Sequence, residues 1–323
     1  VDLGEKLIEE LELLHDAFMV KAKEFHTIIK MGRTHLQDAV PIRLGQEFGA
    51  WACAIGRDAQ RVEAAASGLQ TISMGATAVG TGLNADVEYI GEVTAILAEN
   101  TGLPLVQTAN IVDATQNTDV YVGLSSALKI CAVNLSKMAN DLRLLASGPR
   151  CGLNEINLPA MQPGSSIMPG KVNPVMAEVV NQVAFQVIGN DLTVTMASEA
   201  GQLELNVMEP VLTFNLLQSI DILSNVVQVF ASRCVKGITA NVQRCRQMVE
   251  HSVGIITAIN PHVGYETAAV IAREAITTGR PIREIVLEKG ILTEEELDVI
   301  LNPQEMTKPG ISGANLLGVE DYI

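Results

Sequence analysis

The chain has 323 residues, with 22 Lys and Arg against 37 Asp and Glu, and a formal charge of −15. Hydrophobic residues make up 48% of it, which excludes a disordered chain, and the acidic balance excludes the basic face that nucleic acids or an anionic membrane require. One Trp, four Tyr and six Phe leave the apolar positions to Ala and aliphatic side chains, which suits closely packed helices.

The opening stretch carries an apolar stripe, Leu7, Leu11, Leu14, Phe18 and Phe25, at spacings of three, four and seven. This predicts a helix from about Asp2 to Lys30, ended by Gly32, with Gly32 to Pro41 as a loop. Val1 already stands inside that pattern, so the reading expects an N-terminal portion to be missing. A second helix is predicted from Leu44 to Leu69, rich in small residues. GATAVGTGLN, Gly75 to Asn84, is a backbone-permissive connection. A shorter helix follows over Asp86 to Thr101.

Asp113 to Ser147 reads as one long helix with the stripe Val120, Leu124, Leu128, Cys131, Leu135, Met138, Leu142 and Leu145. Arg150 to Val172 has no helical period and reads as a long loop. Asn173 as N-cap and Pro174 at the first helical position restart a helix that runs to about Ala200. That helix is apolar nearly all round and belongs in the centre of a bundle. Another long helix is predicted from Glu209 to Val235. From about Ala240 helices shorten and Gly and Pro become denser, and Thr293 with Glu296 forms a capping-box pattern. The expected architecture is all-α: a long-helix bundle over 1–240 and a small helical C-terminal domain over 241–323, with no strand pair.

Five cysteines without C-x-x-C spacing argue against a disulfide scaffold or a zinc site and for a reducing compartment. No apolar run is expected to span a membrane, and no signal-peptide pattern opens the chain. Asn134-Leu135-Ser136 matches a glycosylation sequon inside a predicted helix and is read as chance.

The strongest local signal is GSSIMPGKVNP, Gly164 to Pro174. It places Ser165, Ser166, Lys171 and Asn173 in a Gly/Pro loop feeding a helix N-terminus, where free N–H groups, the helix dipole and a lysine favour an anion. It is not a phosphate loop: five residues separate Gly164 from Gly170, and Val172 follows the lysine where Ser or Thr is needed. Asn173 either caps the helix or meets a ligand. A second cluster, Arg33, Thr34, His35 and Gln37, shares the loop from Gly32 to Pro41. His15 and His26 read as surface residues of the first helix and His262 as closing a turn. No His pair has metal-ligand spacing, so no metal is expected.

GSSIMPGKVNP resembles the signature of the fumarase/aspartase superfamily, and GRTHLQDAVP resembles its second shared region. The likeness continues through GATAVGTGLN, NDLRLLASGPR, GLNEINLP, QVIGND, EAGQLELNVMEPV and GITAN, so it covers essentially the whole chain. Asn181-Gln182, Asp191 and GQLELNVMEPV look more like the aspartases (aspartate ammonia-lyases) than the class II fumarases, which carry a His at the position of Asp191. The resemblance implies reversible deamination of L-aspartate to fumarate and ammonia, through Cβ proton abstraction and an enediolate-like intermediate, without a cofactor. It implies a homotetramer whose active sites draw on three subunits, and the composition is compatible with the cytoplasm. Residue by residue, it implies Ser165 as the general base and Ser166 with its loop backbone on the β-carboxylate. Lys171 and Asn173 are implied on the α-carboxylate together with Thr34 and His35, with Glu178 the acidic partner of that histidine. The first shared region of the superfamily has no counterpart here, so full activity is expected only with it. A class II fumarase, another lyase of the superfamily and an inactive binding relative are the alternatives.

Overall fold

The structure, a computed structural model, describes residues 2–162, 164, 167–168 and 170–318. The chain divides into two compact units, one of residues 1–17, 51–143 and 159–237, the other of residues 18–50, 144–158 and 238–323. In chain order the elements are α1 (Asp2–Glu24), β1 (Ile29–Thr34), β2 (Gln37–Arg43), α2 (Leu44–Ser67), β3 (Thr71–Ile72), α3 (Val87–Thr101), β4 (Val106–Gln107), α4 (Ile111–Gln116), α5 (Asp119–Leu145) and β5 (Ile156–Asn157). There follow α6 (Val175–Glu199), α7 (Glu209–Arg233), β6 (Thr239–Ala240), α8 (Val242–His251), α9 (Ile256–Val263), α10 (Tyr265–Thr278), α11 (Ile282–Glu288) and α12 (Glu294–Ile300). Helix dominates, as the composition requires.

The first unit is built on long helices. Along α5 the predicted stripe is buried from Leu124 to Leu142, while Val120 is partly exposed. The helices α6 and α7 pack against each other. Ala177, Val180, Ala184 and Val187 of α6 are buried, as are Leu212, Leu216, Leu223 and Phe230 of α7. Each large side chain so buried contributes roughly 1.5–3 kcal/mol. Polar groups fix the register between these helices. Asn190 Nδ2 donates to Ser219 Oγ at 3.0 Å, and Asn181 Nδ2 donates to Ser136 Oγ at 2.9 Å and Asn140 Oδ1 at 3.1 Å. Asp191 accepts from Ser125 at 2.8 Å and from Lys129 at 2.6 Å. Asp58, wholly buried on α2, accepts twice from Asn134 Nδ2 at 2.9 Å and also from Arg61.

The second unit sets the β1–β2 hairpin beside the short helices. Its core gathers Met31 with Ile255, Ile259, Ile271, Ile285 and Leu297. Thr293 and Glu296 close the capping box at the start of α12, as their spacing predicts.

Several expectations need correction. The first helix stops at Glu24, and residues 29–43, read as helix end and loop, form an antiparallel hairpin. Two further short pairs, β3–β4 parallel and β5–β6 antiparallel, answer the expectation of no strand pair. The predicted helix over 113–147 is two helices. Asn110 caps α4, Asn117 turns extended, and buried Thr118 donates to Ser198 Oγ at 2.8 Å and accepts from Asn206 at 3.1 Å. Those side-chain bonds hold the break. His26 lies beyond the end of α1, and His262 lies within α9, where its Nε2 donates to the Ser312 carbonyl at 2.8 Å. Glu209–Gly237 has the length of a membrane span and contains an 18-residue stretch with a mean hydropathy of 1.2. Its α7 portion packs as a core helix, and such helices meet the same criterion.

Candidate active site

Residues 159–175 border α6. Gly164 sits where a Cβ would overlap the Lys171 carbonyl oxygen, so glycine lets the two sides of the loop touch. A turn follows in which the Lys171 N–H donates to the Met168 carbonyl at 3.2 Å, with Gly170 at a φ of 83°. A shallow, open concavity of about 450 Å³ is bordered by Met161, Gln162, Gly164, Gly170 and Lys171, among others. Lys171 is exposed there and makes no ion pair among the described residues. Ser165 and Ser166 lie outside the described residues.

Asn173 is not the cap its position predicts. Pro174 occupies the N-cap with no side-chain bond, the helix starts at Val175, and Asn173 contributes only its carbonyl, which accepts from Val175 N–H at 2.9 Å. Pro174, at φ −79° and ψ 52°, stands outside the helical region, so the helix opens one residue later than an Asn173 cap requires. Among the described residues the Asn173 side chain makes no cap bond to α6. Glu178 lies one turn into α6, half-buried, its N–H donating to the Pro174 carbonyl at 3.1 Å. The segment thus presents a cation, an amide and a carboxylate at one helix N-terminus, where the helix dipole favours anions.

Thr34 and His35 belong to the second unit, at the end of the β1–β2 hairpin, and both are exposed. Thr34 pairs with Gln37, so His35 and Leu36 alone make the turn, with φ of 53° and 59°. Two positive-φ residues define the tight turn that usually takes Asn-Gly. Non-glycine residues there cost roughly 1–2 kcal/mol each. Behind them Gly32 allows the strands to approach: a Cβ would stand 2.6 Å from the Val40 carbonyl oxygen. The sequence reading missed what lies beneath this hairpin, the buried carboxylate of Glu155, which takes Arg33 and Lys30. Its only sequence signal was the stretch GLNEINLP.

The five cysteines are unpaired: Cys53 and Cys151 are exposed and Cys131, Cys234 and Cys245 buried. Burial pushes the Cys234 and Cys245 thiols up to about 12, so neither is a nucleophile at neutral pH. Among the described residues no three His, Cys, Asp or Glu side chains group as metal ligands.

Comparison with known proteins places these segments. A family model described as "Lyase" matches residues 2–189, and one described as "Fumarase C C-terminus" matches residues 255–308. The chain belongs to the fumarase/aspartase superfamily. Among superfamily relatives, an aspartate ammonia-lyase of Bacillus subtilis (strain 168) is 64% identical over 98% of this chain and 66% of its own length. One from Helicobacter pylori (strain 26695) is 54% identical over 94% of this chain and 65% of its own length. The chain therefore spans about two thirds of the relatives it matches. Two solved superfamily structures share the fold. A fumarate lyase:delta crystallin from Brucella melitensis, bound to cobalt, has a TM-score of 0.92 at 49% identity, covering 95% of this chain and 66% of that one. A class II fumarase from Schistosoma mansoni has a TM-score of 0.90 at 34% identity, covering 95% and 68%.

Proposed function

We propose that the complete protein is an aspartate ammonia-lyase, converting L-aspartate reversibly to fumarate and ammonia. The observation that carries this reading is the 64% identity, over 98% of the chain, to a protein of that name. In the reaction a base takes a proton from Cβ, the electron pair forms the C=C bond, and the Cα–N bond breaks to release ammonia. The Cβ proton is weakly acidic, so the barrier falls only where donors stabilise the second negative charge on the β-carboxylate; each such donor is typically worth roughly 10²–10³ in rate. Ser165 is the proposed base. A serine needs a positive, water-poor site to ionise near neutral pH, and closure of the Gly-rich loop around it supplies one. Ser166 and the loop backbone hold the β-carboxylate. Lys171 and Asn173 hold the α-carboxylate with Thr34 and His35, and Glu178 pairs with His35.

The assembly that goes with this reading is a homotetramer with sites shared between subunits, working without a cofactor in the cytoplasm. The domain division proposed for it is a bundle over 1–240 and a small domain over 241–323. The likeness to a fumarase and to the fumarase C-terminal model keeps malate as the second substrate to test. The experiment is fumarate formation, followed by ultraviolet absorbance, from L-aspartate and separately from L-malate, by the complete protein and its Ser165→Ala variant. Activity on aspartate that Ser165→Ala abolishes, with circular dichroism unchanged, is the expected result. Activity on malate alone moves the reading to a fumarase. If Ser165→Ala keeps more than about a tenth of the rate, Ser165 is not the base.

A further inference from the structure

The turn that presents Thr34 and His35 holds two non-glycine residues at positive φ. Such a conformation persists only where the surrounding structure over-determines it. Within the second unit, the groups that do so converge on one carboxylate. Arg33, next to Thr34, shares its Nη1 between the two oxygens of Glu155 at 3.0 and 3.1 Å. Its Nη2 faces Met248 Sδ at 3.3 Å. Lys30, at the start of the same strand, has its Nζ 3.3 Å from Glu155 Oε2 and donates to Glu47 at 2.9 Å. The Glu155 side chain is wholly buried and that of Lys30 is 2% exposed, so this pair is desolvated, while Arg33 and Glu47, at 12% and 22%, balance the charge at two of each sign.

Glu155 is itself held by its backbone. Its N–H donates to the Leu145 carbonyl at 2.9 Å, and its carbonyl accepts from Asn241 N–H at 2.8 Å. The next residue, Ile156, pairs with Ala240 in the β5–β6 ladder. Asn241 Nδ2 also donates to the Asn154 carbonyl at 3.0 Å and to Asn157 Oδ1 at 3.0 Å. A carboxylate fixed on both sides along its own chain thus grips β1 at two points, one of them a residue away from Thr34. Surface ion pairs fix little; a buried, shared and charge-balanced one fixes geometry, since any displacement strands a desolvated charge.

We infer that Glu155 is a positioning residue for the substrate-binding turn: through Lys30 and Arg33 it sets the conformation in which Thr34 and His35 are presented. The inference rests on the proposed function only in giving Thr34 and His35 a carboxylate to bind. Glu155 itself touches no substrate in this scheme.

The test uses the complete protein carrying Glu155→Gln, Glu155→Asp or Arg33→Lys. Two readouts are taken: hydrogen exchange of the amides over residues 29–43 against those of α6, and kcat and KM for L-aspartate per assembled protein. For Glu155→Gln we expect hairpin exchange at least tenfold faster with α6 unchanged. We also expect kcat/KM to fall at least tenfold, partly restored in Glu155→Asp. A residue that merely stabilises the fold would lower the melting temperature and leave the kinetics of the assembled protein alone. Hairpin exchange or kcat/KM within twofold of the parent overturns the inference. If the parent makes no fumarate from aspartate, the functional reading fails, and the exchange readout alone decides the positioning role. If Glu155→Gln does not fold, Arg33→Lys, which preserves the charge balance but loses the shared contact, carries both readouts.

Discussion

Lys171 is an exposed cation on a loop whose shape depends on Gly164, and it makes no ion pair among the described residues. With no ion pair to lose among the described residues, its removal is expected to cost the fold little and the ligand much. A charge-assisted hydrogen bond to a carboxylate is worth roughly 1.5–3 kcal/mol. Lys171→Ala in the complete protein is therefore expected to raise KM for aspartate about ten- to a hundredfold with an unchanged melting temperature, and an unchanged KM removes it from the site. Asp58 is the opposite kind of residue, with its carboxylate wholly buried and fully engaged. Burial raises its pKa above 3.8, more than the bonds from Asn134 and Arg61 lower it. The folded state then holds the Asp58 proton more tightly than the unfolded state does. The stability this contributes is complete below the ordinary carboxylate value and is lost as pH rises through the raised one. Asp58→Asn removes that titration. The melting temperature of the variant relative to the parent is expected to climb as pH rises from about 4 to 7, and a flat difference shows that burial does not govern this carboxylate.

The β1–β2 hairpin shows at the level of an element what a sequence can hide. Its residues alternate poorly, and its turn lacks the Asn-Gly that announces two residues at positive φ, so the stretch reads as helix end and loop. The long helices were legible because their stripes repeat over many turns. Leu7, Leu11, Leu14, Phe18 and Phe25 are all buried, as their spacing predicts. The break at Asn117 was not, because tertiary partners of Thr118 hold it. The signature loop was legible by likeness and by its Gly, Pro and Lys content. Glu155 was not: GLNEINLP contains it, but nothing in that stretch shows that its partner Arg33 stands more than a hundred residues away. The strain in the turn is itself measurable. Leu36 is 69% exposed at a φ of 59°, so Leu36→Gly surrenders little buried surface and relieves the left-handed conformation. After the added entropy of glycine in the unfolded chain is subtracted, a stabilisation of about 0.5–1 kcal/mol is expected, read as slower exchange in the hairpin. Faster exchange would mean that the Leu36 side chain holds the turn.

At the scale of the whole molecule the first unit leaves apolar surface uncovered where a bundle core is expected. On α6, Phe185, Leu192 and Met196 are 64%, 62% and 61% exposed, and their spacings of seven and four put them on one side of the helix. On α7, Phe214 is 63% and Leu217 47% exposed. These positions explain why α6 looks apolar all round in sequence: one side packs on α7, and the other is uncovered among the described residues. Large apolar side chains aligned along one side of a helix suit an interaction surface, and the homotetramer proposed above supplies copies of the same helices to cover them. A charge at its middle must then be desolvated on assembly, at a cost of several kcal/mol for each copy. Phe185→Glu in the complete protein is expected to sediment as species smaller than a tetramer at micromolar concentration, with its helical circular dichroism retained. Because the proposed sites are shared between subunits, aspartate turnover should fall at least tenfold in step with the loss of tetramer. A Phe185→Glu protein that sediments as an intact tetramer would place the assembly surface elsewhere.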